Sequence, residues 1–315
     1  MKRVADVIRA KMTFLVTSHV RLDGDAVGSE LALFHLLRNM GKKVLVYNQD
    51  ETPRNLRFLP GAETIVHKLD GISEYDVLFV LDCSEVERVG EAASLIRTAP
   101  CLVSIDHHIS NKGDFSLSVI DPSASSVGEL IFRLIDEMGA DVTKEIAVNL
   151  YTAIVTDTGS FRYSNAGKNT FAIAGKLVEA GAKPHKIAEK VYESNPPEKM
   201  KLLAKVLETL ECHWDGKIST LFVSQAMVRE AGALPEYTEN FVDFARAIEG
   251  VEVAAFFIEM DGGRYRVSLR SKGRISVEKV ARTYGGGGHF NAAACIISGS
   301  LVDVRDRIVQ SIMAG

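Results

Sequence analysis

Residues 12–18, Met-Thr-Phe-Leu-Val-Thr-Ser, form an apolar run, and the positions from Ala26 to Met40 then repeat at helical spacing. The run reads as a buried strand and the periodic stretch as a helix, with Gly41 as its stop and Lys42 to Tyr47 as a second strand. The alternation continues with strands over 75–81, 101–105 and 115–120, and helices over about 85–96, 123–138 and 143–156. Apolar strands taking turns with helices predict an α/β fold built on a doubly wound, mainly parallel sheet. Helices over 165–180 and 184–192 follow, until Ser194-Asn195-Pro196-Pro197 breaks the pattern.

A different rhythm begins there. Lys201 to Leu210 reads as a helix, residues 218–223, 251–260 and 265–269 as strands, 240–248 as a helix, and Asp303 to Met313 as a closing helix. Asp261-Gly262-Gly263 is a hairpin turn between the last two strands. A chain of 315 residues exceeds the size at which one core keeps growing, so two domains are expected. The boundaries predicted are a catalytic domain over 1–183, a helical linker or hinge over 184–210, and a smaller α/β domain with a mixed sheet over 211–315.

Composition changes this picture little: 46% hydrophobic and 25% charged residues are ordinary for a globular chain. No apolar run approaches membrane-spanning length, and the start shows no secretory signal pattern. Cys83, Cys101, Cys212 and Cys295 form no CxxC and read as small hydrophobes in a reducing compartment, so a cytoplasmic location is expected. A formal net charge of −4 excludes a protein that coats long duplex nucleic acid, though not one with a local basic patch for a short phosphorylated ligand.

The chemistry collects where apolar runs stop. The strand over 101–105 ends in Asp106-His107-His108, and side chains of these types are costly to bury without partners. His19, Asp23 and Asp25 share the turn between the first strand and its helix, where Gly24 keeps side-chain bulk away. Capping of the helix explains one of the two carboxylates and leaves the other, with the histidine, unexplained. Asp82 ends the third strand, and Asp157 follows a wholly uncharged stretch from Ala147 to Thr156. This oxygen and nitrogen donor set suits a divalent cation such as Mn²⁺ or Zn²⁺. Jointly, His19, Asp23, Asp25, Asp82, His107 and Asp157 are enough ligands for two ions, with Asp82 placed to bridge them.

The second half carries the basic patch. From Arg264 to Arg282 there are seven lysines and arginines against one acid, Glu278. Arg264, Arg266 and Ser268 share one strand parity, with Arg270 and Ser271 at its end, and arginine forks beside hydroxyls suit phosphate oxygens. Gly285-Gly286-Gly287-Gly288-His289 then implies backbone that approaches a ligand closely, without the GK[ST] of a P-loop.

Together these residues resemble the DHH phosphoesterase superfamily, whose signature is matched by Asp106-His107-His108 and whose other metal motifs are matched by residues 19–26, Asp82 and Asp157. Residues 264–294 resemble its C-terminal DHHA1 domain, and the size and domain order are similar to the nanoRNase/pAp phosphatase branch. The resemblance implies two divalent cations, Mn²⁺ above others: one held by His19, Asp23 and Asp82, the other by Asp25, Asp82, His107 and Asp157. It implies that Asp106 orients a neighbouring imidazole, that His108 contacts the scissile phosphate, and that the site lies in the interdomain cleft. Arg264, Arg266, Ser268, Arg270, Ser271, Gly286, Gly287, Gly288 and His289 would bind substrate. The implied reactions are hydrolysis of very short RNA oligonucleotides to nucleoside 5'-monophosphates, and of 3'-phosphoadenosine 5'-phosphate (pAp) to AMP, by a metal-activated hydroxide. Short single-stranded RNA and pAp would be its partners, with a homodimer admitted and no membrane expected. A linear or cyclic dinucleotide (pApA or c-di-AMP) phosphodiesterase is the alternative, and a nucleotide-binding regulatory protein the alternative outside catalysis. Ala294, where the family's motif commonly ends in glycine, and Asp243, in place of an asparagine, depart from the pattern and bear on pocket shape and nucleotide preference.

Overall fold

The computed structural model describes residues 1–68, 75–109, 111, 113 and 115–314, and the chain divides into two units, Met1–Ser194 and Asn195–Gly315. In the first, α1 (Lys2–Ala10), β1 (Thr13–Thr17), α2 (Gly24–Asn39), β2 (Lys43–Val46) and β3 (Val77–Leu81) lead to a 3₁₀ stretch, Val86–Ala92, and α3 (Ala93–Thr98). β4 (Leu102–Asp106), β5 (Leu117–Ile120), α4 (Val127–Met138), α5 (Lys144–Asp157), α6 (Lys168–Glu179) and α7 (Pro184–Tyr192) complete it.

All five strands are parallel, in the order β2-β1-β3-β4-β5. Side-chain parity explains why both faces are covered. Phe14, Val16, Val77, Phe79, Leu81, Val103 and Ile105 join the core under α1, α2, α4 and α5. Leu15, Leu78, Val80 and Leu102 point the other way, against Val89 and Ile96. Each such side chain removed from water contributes roughly 1.5–3 kcal/mol. The order runs outward in opposite directions from β1 and β3, so the crevice beyond their carboxyl ends is where a sheet of this order holds a ligand.

Three helix ends meet at that crevice because small residues let the helices approach. α2 and α5 run antiparallel, with Gly24 against Thr156 and Gly28 against Asn149 and Ala153. A Cβ at Gly28 would lie 2.5 Å from the Asn149 carbonyl oxygen, and one at Gly128 of α4 would lie 2.6 Å from the Ala153 Cβ. The start of α2, the start of α4 and the end of α5 are thereby drawn together.

Several boundaries differ from the sequence reading. The helix expected over 85–96 begins as 3₁₀ and breaks at Gly90, where φ is +66°. α4 starts only at Val127, capped by Ser126, whose hydroxyl accepts from Glu129 N–H, since residues 121–126 form a loop held by Asp121. Pro197 opens a helix instead of ending one, as proline can where the first-turn N–H has no helical partner. α7 belongs to the first unit and that next helix to the second.

The second unit comprises α8 (Pro197–Leu207), β6 (Glu211–His213), β7 (Ile218–Val223), α9 (Gln225–Glu230), α10 (Phe241–Arg246), β8 (Val253–Met260), β9 (Arg264–Ser271), α11 (Val277–Thr283), β10 (Gly287–His289), β11 (Ala292–Ser298) and α12 (Leu301–Ala314). Its sheet is mixed, in the order β10-β11-β9-β8-β7-β6, with β7 and β8 parallel. β10 and β11 escape the sequence reading because Gly-Gly-His and Ala-Ala-Ala-Cys carry almost no strand signal. Pairing along the whole of β9 makes β11 a strand. Among the described residues no helix is long and apolar enough to cross a membrane. All four cysteines are free; Cys83 and Cys295 are buried, whereas Cys212 is exposed and does not behave as a small hydrophobe.

Candidate metal centre and phosphate-binding face

The ends of β1, β3 and β4 and of α5 deliver one polar cluster. His19 follows β1, and its Nε2 lies 3.4 Å from Asp82 Oδ2 and 3.8 Å from Asp23 Oδ2. Asp23 serves twice: Oδ1 caps α2 by accepting from Ala26 N–H at 3.0 Å, while Oδ2 faces the histidine. His107 Nε2 lies 3.5 Å from Asp157 Oδ2, 3.7 Å from Asp25 Oδ2 and 3.7 Å from Asp82 Oδ1. Within this unit, His19–Asp23–Asp82, Asp25–Asp82–His107 and Asp82–Asp106–His108 each bring donor atoms within 4.8 Å of one another, and Asp82 is common to all three. The Asp82 backbone is left-handed, with φ +53°.

These residues fit metal ions. His19 Nδ1 and His107 Nδ1 face backbone carbonyls, of Val20 at 2.9 Å and Ala124 at 3.1 Å. A carbonyl only accepts, so each Nδ1 carries the proton and each Nε2 is left to offer a lone pair towards the carboxylates. Bonds of about 2.0–2.2 Å to one ion put neighbouring donors roughly 3.0–3.6 Å apart, close to the spacings found. Asp82 Oδ1 is buried and accepts no hydrogen bond among the described residues.

The electrostatics show the same shortage of positive charge. Burial, then the Asp157 carboxylate, push Asp25 up to about 7. Burial and the Asp25 and Asp23 carboxylates hold Asp82 well above the ordinary carboxylate range. Burial lowers His107, but Asp157, Asp25 and Asp82 outweigh it and push the imidazole up to about 10. Asp106 behaves differently. Burial raises it, yet bonds from His108 Nδ1 at 2.7 Å and Asn111 Nδ2 at 2.7 Å, with the backbone N–H of His107 and His108, bring it below the ordinary range. An ionised carboxylate so fully bonded orients the His108 ring.

In the second unit, β9 carries Arg264, Arg266, Ser268 and Arg270 on one parity, none of them buried. Register places Ala292 beside Arg270 and His289 beyond it, so Arg270, Ala292 and His289 lie in a row across three strands. Ala254 flanks Arg270 on the other side, so alanines border Arg270 on both sides, whereas Ile258 and Ile296 flank Arg266. Ser271 falls on the opposite parity, buried, with its hydroxyl donating to Asn291 Oδ1 at 2.9 Å. Gly286 lies where a Cβ would be 2.2 Å from the Ala294 carbonyl oxygen, and Gly287 and Gly288 belong to β10. Asp243 is bonded to Arg246 Nε at 3.1 Å, which offsets its charge.

Comparison with known proteins bears on both faces. The model of the DHH family, N-terminal domain, matches residues 13–154, and that of the DHHA1 domain matches 218–314. The bifunctional oligoribonuclease and PAP phosphatase NrnA of Thermus thermophilus is 33% identical over 99% of this chain and 93% of its own length. The chain belongs to the DHH family. More narrowly, it belongs to the DHH/DHHA1 phosphoesterases of the NrnA-like branch. The Bacillus subtilis protein of the same name is 28% identical, covering 95% of this chain and 93% of that one. The crystal structure of an exopolyphosphatase-related protein from Bacteroides fragilis superposes with a TM-score of 0.92 at 28% identity, covering 99% and 95% of the two chains.

The DHH residues have supports that sequence reading missed. Ser18 Oγ donates to the Leu81 carbonyl at 2.7 Å, tying the end of β1 to the residue before Asp82. Asn48 accepts from Ser18 N–H and donates to the fully buried Glu30 at 2.7 Å. Asn111, Asn165 and the start of α4 likewise touch cluster residues. The one local signal was Ser126-Val-Gly-Glu129, the spacing of a capping box.

Proposed function

We propose that the protein hydrolyses phosphoesters of very short RNA and of pAp, releasing nucleoside 5'-monophosphates and AMP, with two divalent cations, Mn²⁺ first among them. The observation that carries the reading is Asp82 as the common member of adjoining donor groups, in a chain that matches the NrnA-named relatives from end to end. His19, Asp23 and Asp82 hold one cation; Asp25, Asp82, His107 and Asp157 hold the other. When bound, such a pair lowers the pKa of water and neutralises charge on phosphoryl oxygens.

The chain's own residues do the rest. The Val20 and Ala124 carbonyls fix the tautomers of His19 and His107, so that Nε2 is presented to the cation. Asp106 and Asn111 hold His108 in place, and His108 contacts the scissile phosphate. Arg264, Arg266, Ser268 and Arg270, with Gly286, Gly287, Gly288 and His289, bind the substrate's other phosphate; buried Ser271 supports this row through Asn291.

A product time course on 5'-labelled RNAs of different lengths, beside pAp, pApA and pyrophosphate, with Mn²⁺, Mg²⁺ or EDTA, tests the reading. Mononucleotides accumulating from the shortest RNAs, and AMP from pAp, are expected. Turnover confined to pApA would favour a dinucleotide phosphodiesterase, and no turnover of any substrate would favour a regulatory binding protein.

A further inference from the structure

The loop between β5 and α4, with the first residues of α4, bonds two of the four side chains of one proposed cation subsite, His107 and Asp25, and reaches the backbone of a third, Asp157, through Asn165. Its Ala124 carbonyl accepts from His107 Nδ1 at 3.1 Å. Val127 N–H and Gly128 N–H donate to Asp25 Oδ2 and Oδ1 at 2.6 and 2.9 Å. Its Ser125 carbonyl accepts from Asn165 Nδ2 at 3.0 Å, and the same amide donates to the Asp157 carbonyl at 3.2 Å. His19 and Asp23 are held elsewhere, by the Val20 carbonyl and Ala26 N–H.

Behind the loop lies a second polar network. Asp121 Oδ1 accepts from Ser123 N–H at 3.0 Å and Ser123 Oγ at 2.5 Å. Glu129 Oε2 accepts from Ser125 N–H at 3.2 Å, Ser125 Oγ at 2.7 Å and Thr170 Oγ1 at 3.3 Å. Arg133 joins the two carboxylates, Nη1 to Asp121 Oδ2 at 2.7 Å and Nη2 to Glu129 Oε1. The Glu129 side chain is 2% exposed and that of Arg133 33%. An ion pair with one partner buried adds little stability over an apolar replacement, which leaves geometry as the role to test.

We propose that Arg133, with Glu129 and Asp121, is a positioning brace for one cation subsite, that of Asp25, Asp82, His107 and Asp157, and not for that of His19, Asp23 and Asp82. The inference rests on the two-cation reading. Loss of the guanidinium frees both ends of the loop, so the Ala124 carbonyl and the Val127 and Gly128 N–H groups lose their fixed aim. The other subsite has no bond to this loop among the described contacts.

Mn²⁺ titration of the whole chain, followed by calorimetry and by the electron paramagnetic resonance of free Mn²⁺, tests this without substrate. Wild type is expected to take up two equivalents. In Arg133→Met one of them should weaken about tenfold, the low end of what partners behind a ligand contribute, while the other stays within about twofold. Arg133→Lys, which keeps the charge, should recover most of the loss. Glu129→Gln keeps an acceptor for Ser125 but loses the charge facing Arg133; it should weaken the same equivalent, and carries the test if Arg133→Met does not fold. Two equivalents that weaken alike, or neither weakening, would overturn the brace. A wild type that takes up a single equivalent would instead overturn the two-cation reading, and the brace with it.

Discussion

Replacing Asp82 by asparagine separates the energy of the cluster from the stability of the fold. The amide keeps the volume, and asparagine tolerates the left-handed backbone at φ +53°, whereas alanine would add about 1 kcal/mol of strain. Without metal, burial and the Asp25 and Asp23 carboxylates already disfavour the charged form of Asp82. The metal-free variant should therefore melt at or above the wild-type temperature. Metal should then separate them. An ion at a hundredfold excess over its Kd stabilises the state that binds it by about 2.7 kcal/mol. At about 2–4 °C per kcal/mol for a domain of this size, one ion should raise the melting of the 194-residue first unit by roughly 5–11 °C, and the two of the proposed pair by roughly 11–22 °C in wild type. Asp82→Asn, lacking the carboxylate proposed to be shared by both subsites, should gain less than half of that. Its turnover of pAp should fall by about 10³-fold, since several kcal/mol of charge stabilisation convert at about 1.4 kcal/mol per decade. Thermal melts in EDTA and in Mn²⁺, beside initial rates of AMP release, give all three quantities. A variant that melts lower without metal, yet keeps the full metal shift and near-wild-type turnover, would refute the shared-ligand assignment.

Three further outcomes follow from particular residues. Arg270→Ala removes a charge-assisted contact of about 1.5–3 kcal/mol and should raise KM for phosphorylated substrates about ten- to a hundredfold with little change in kcat; an unchanged KM counts against the β9 face. Glu30 is fully buried, and burial pushes it up to about 8 from 4.5, against the opposing bond from Asn48. Its folded value lies above the unfolded one, so the stability it contributes is complete below pH 4.5 and is lost as pH rises through about 8. Metal-free Glu30→Gln should therefore gain on wild type by up to about 1.4 kcal/mol per pH unit over much of that window, and a difference that does not vary with pH would exclude this titration. Gly286→Ala places a Cβ 2.2 Å from the Ala294 carbonyl oxygen, so urea unfolding of the second unit should lose about 1–3 kcal/mol; a loss under about 0.5 kcal/mol would mean that β10 shifts freely.

The sequence by itself determined the parallel first sheet and where its chemistry would collect. Leu15, Leu78 and Val80 alternate with Phe14, Phe79 and Leu81 so that both sheet faces need cover, and polar residues such as His19, Asp82 and Asp106-His107-His108 can then stand only where strands end. Local pattern carries that much because strand burial and strand termination are properties of neighbouring residues. Tertiary structure decided what depends on residues far apart in the chain. Ala292-Ala293-Ala294 becomes a strand only because β9 is there to pair with it, which also sets Arg270 and His289 in one row. Ser271 turns into the core although it adjoins Arg270. Above all, the Asp121–Arg133–Glu129 network and the Ser18–Asn48–Glu30 chain bond to groups near the histidine–aspartate cluster through loops and helix starts. Hydrogen bonds across such distances leave no periodic mark, since any serine, asparagine or glutamate at a surface would read the same until the helices pack.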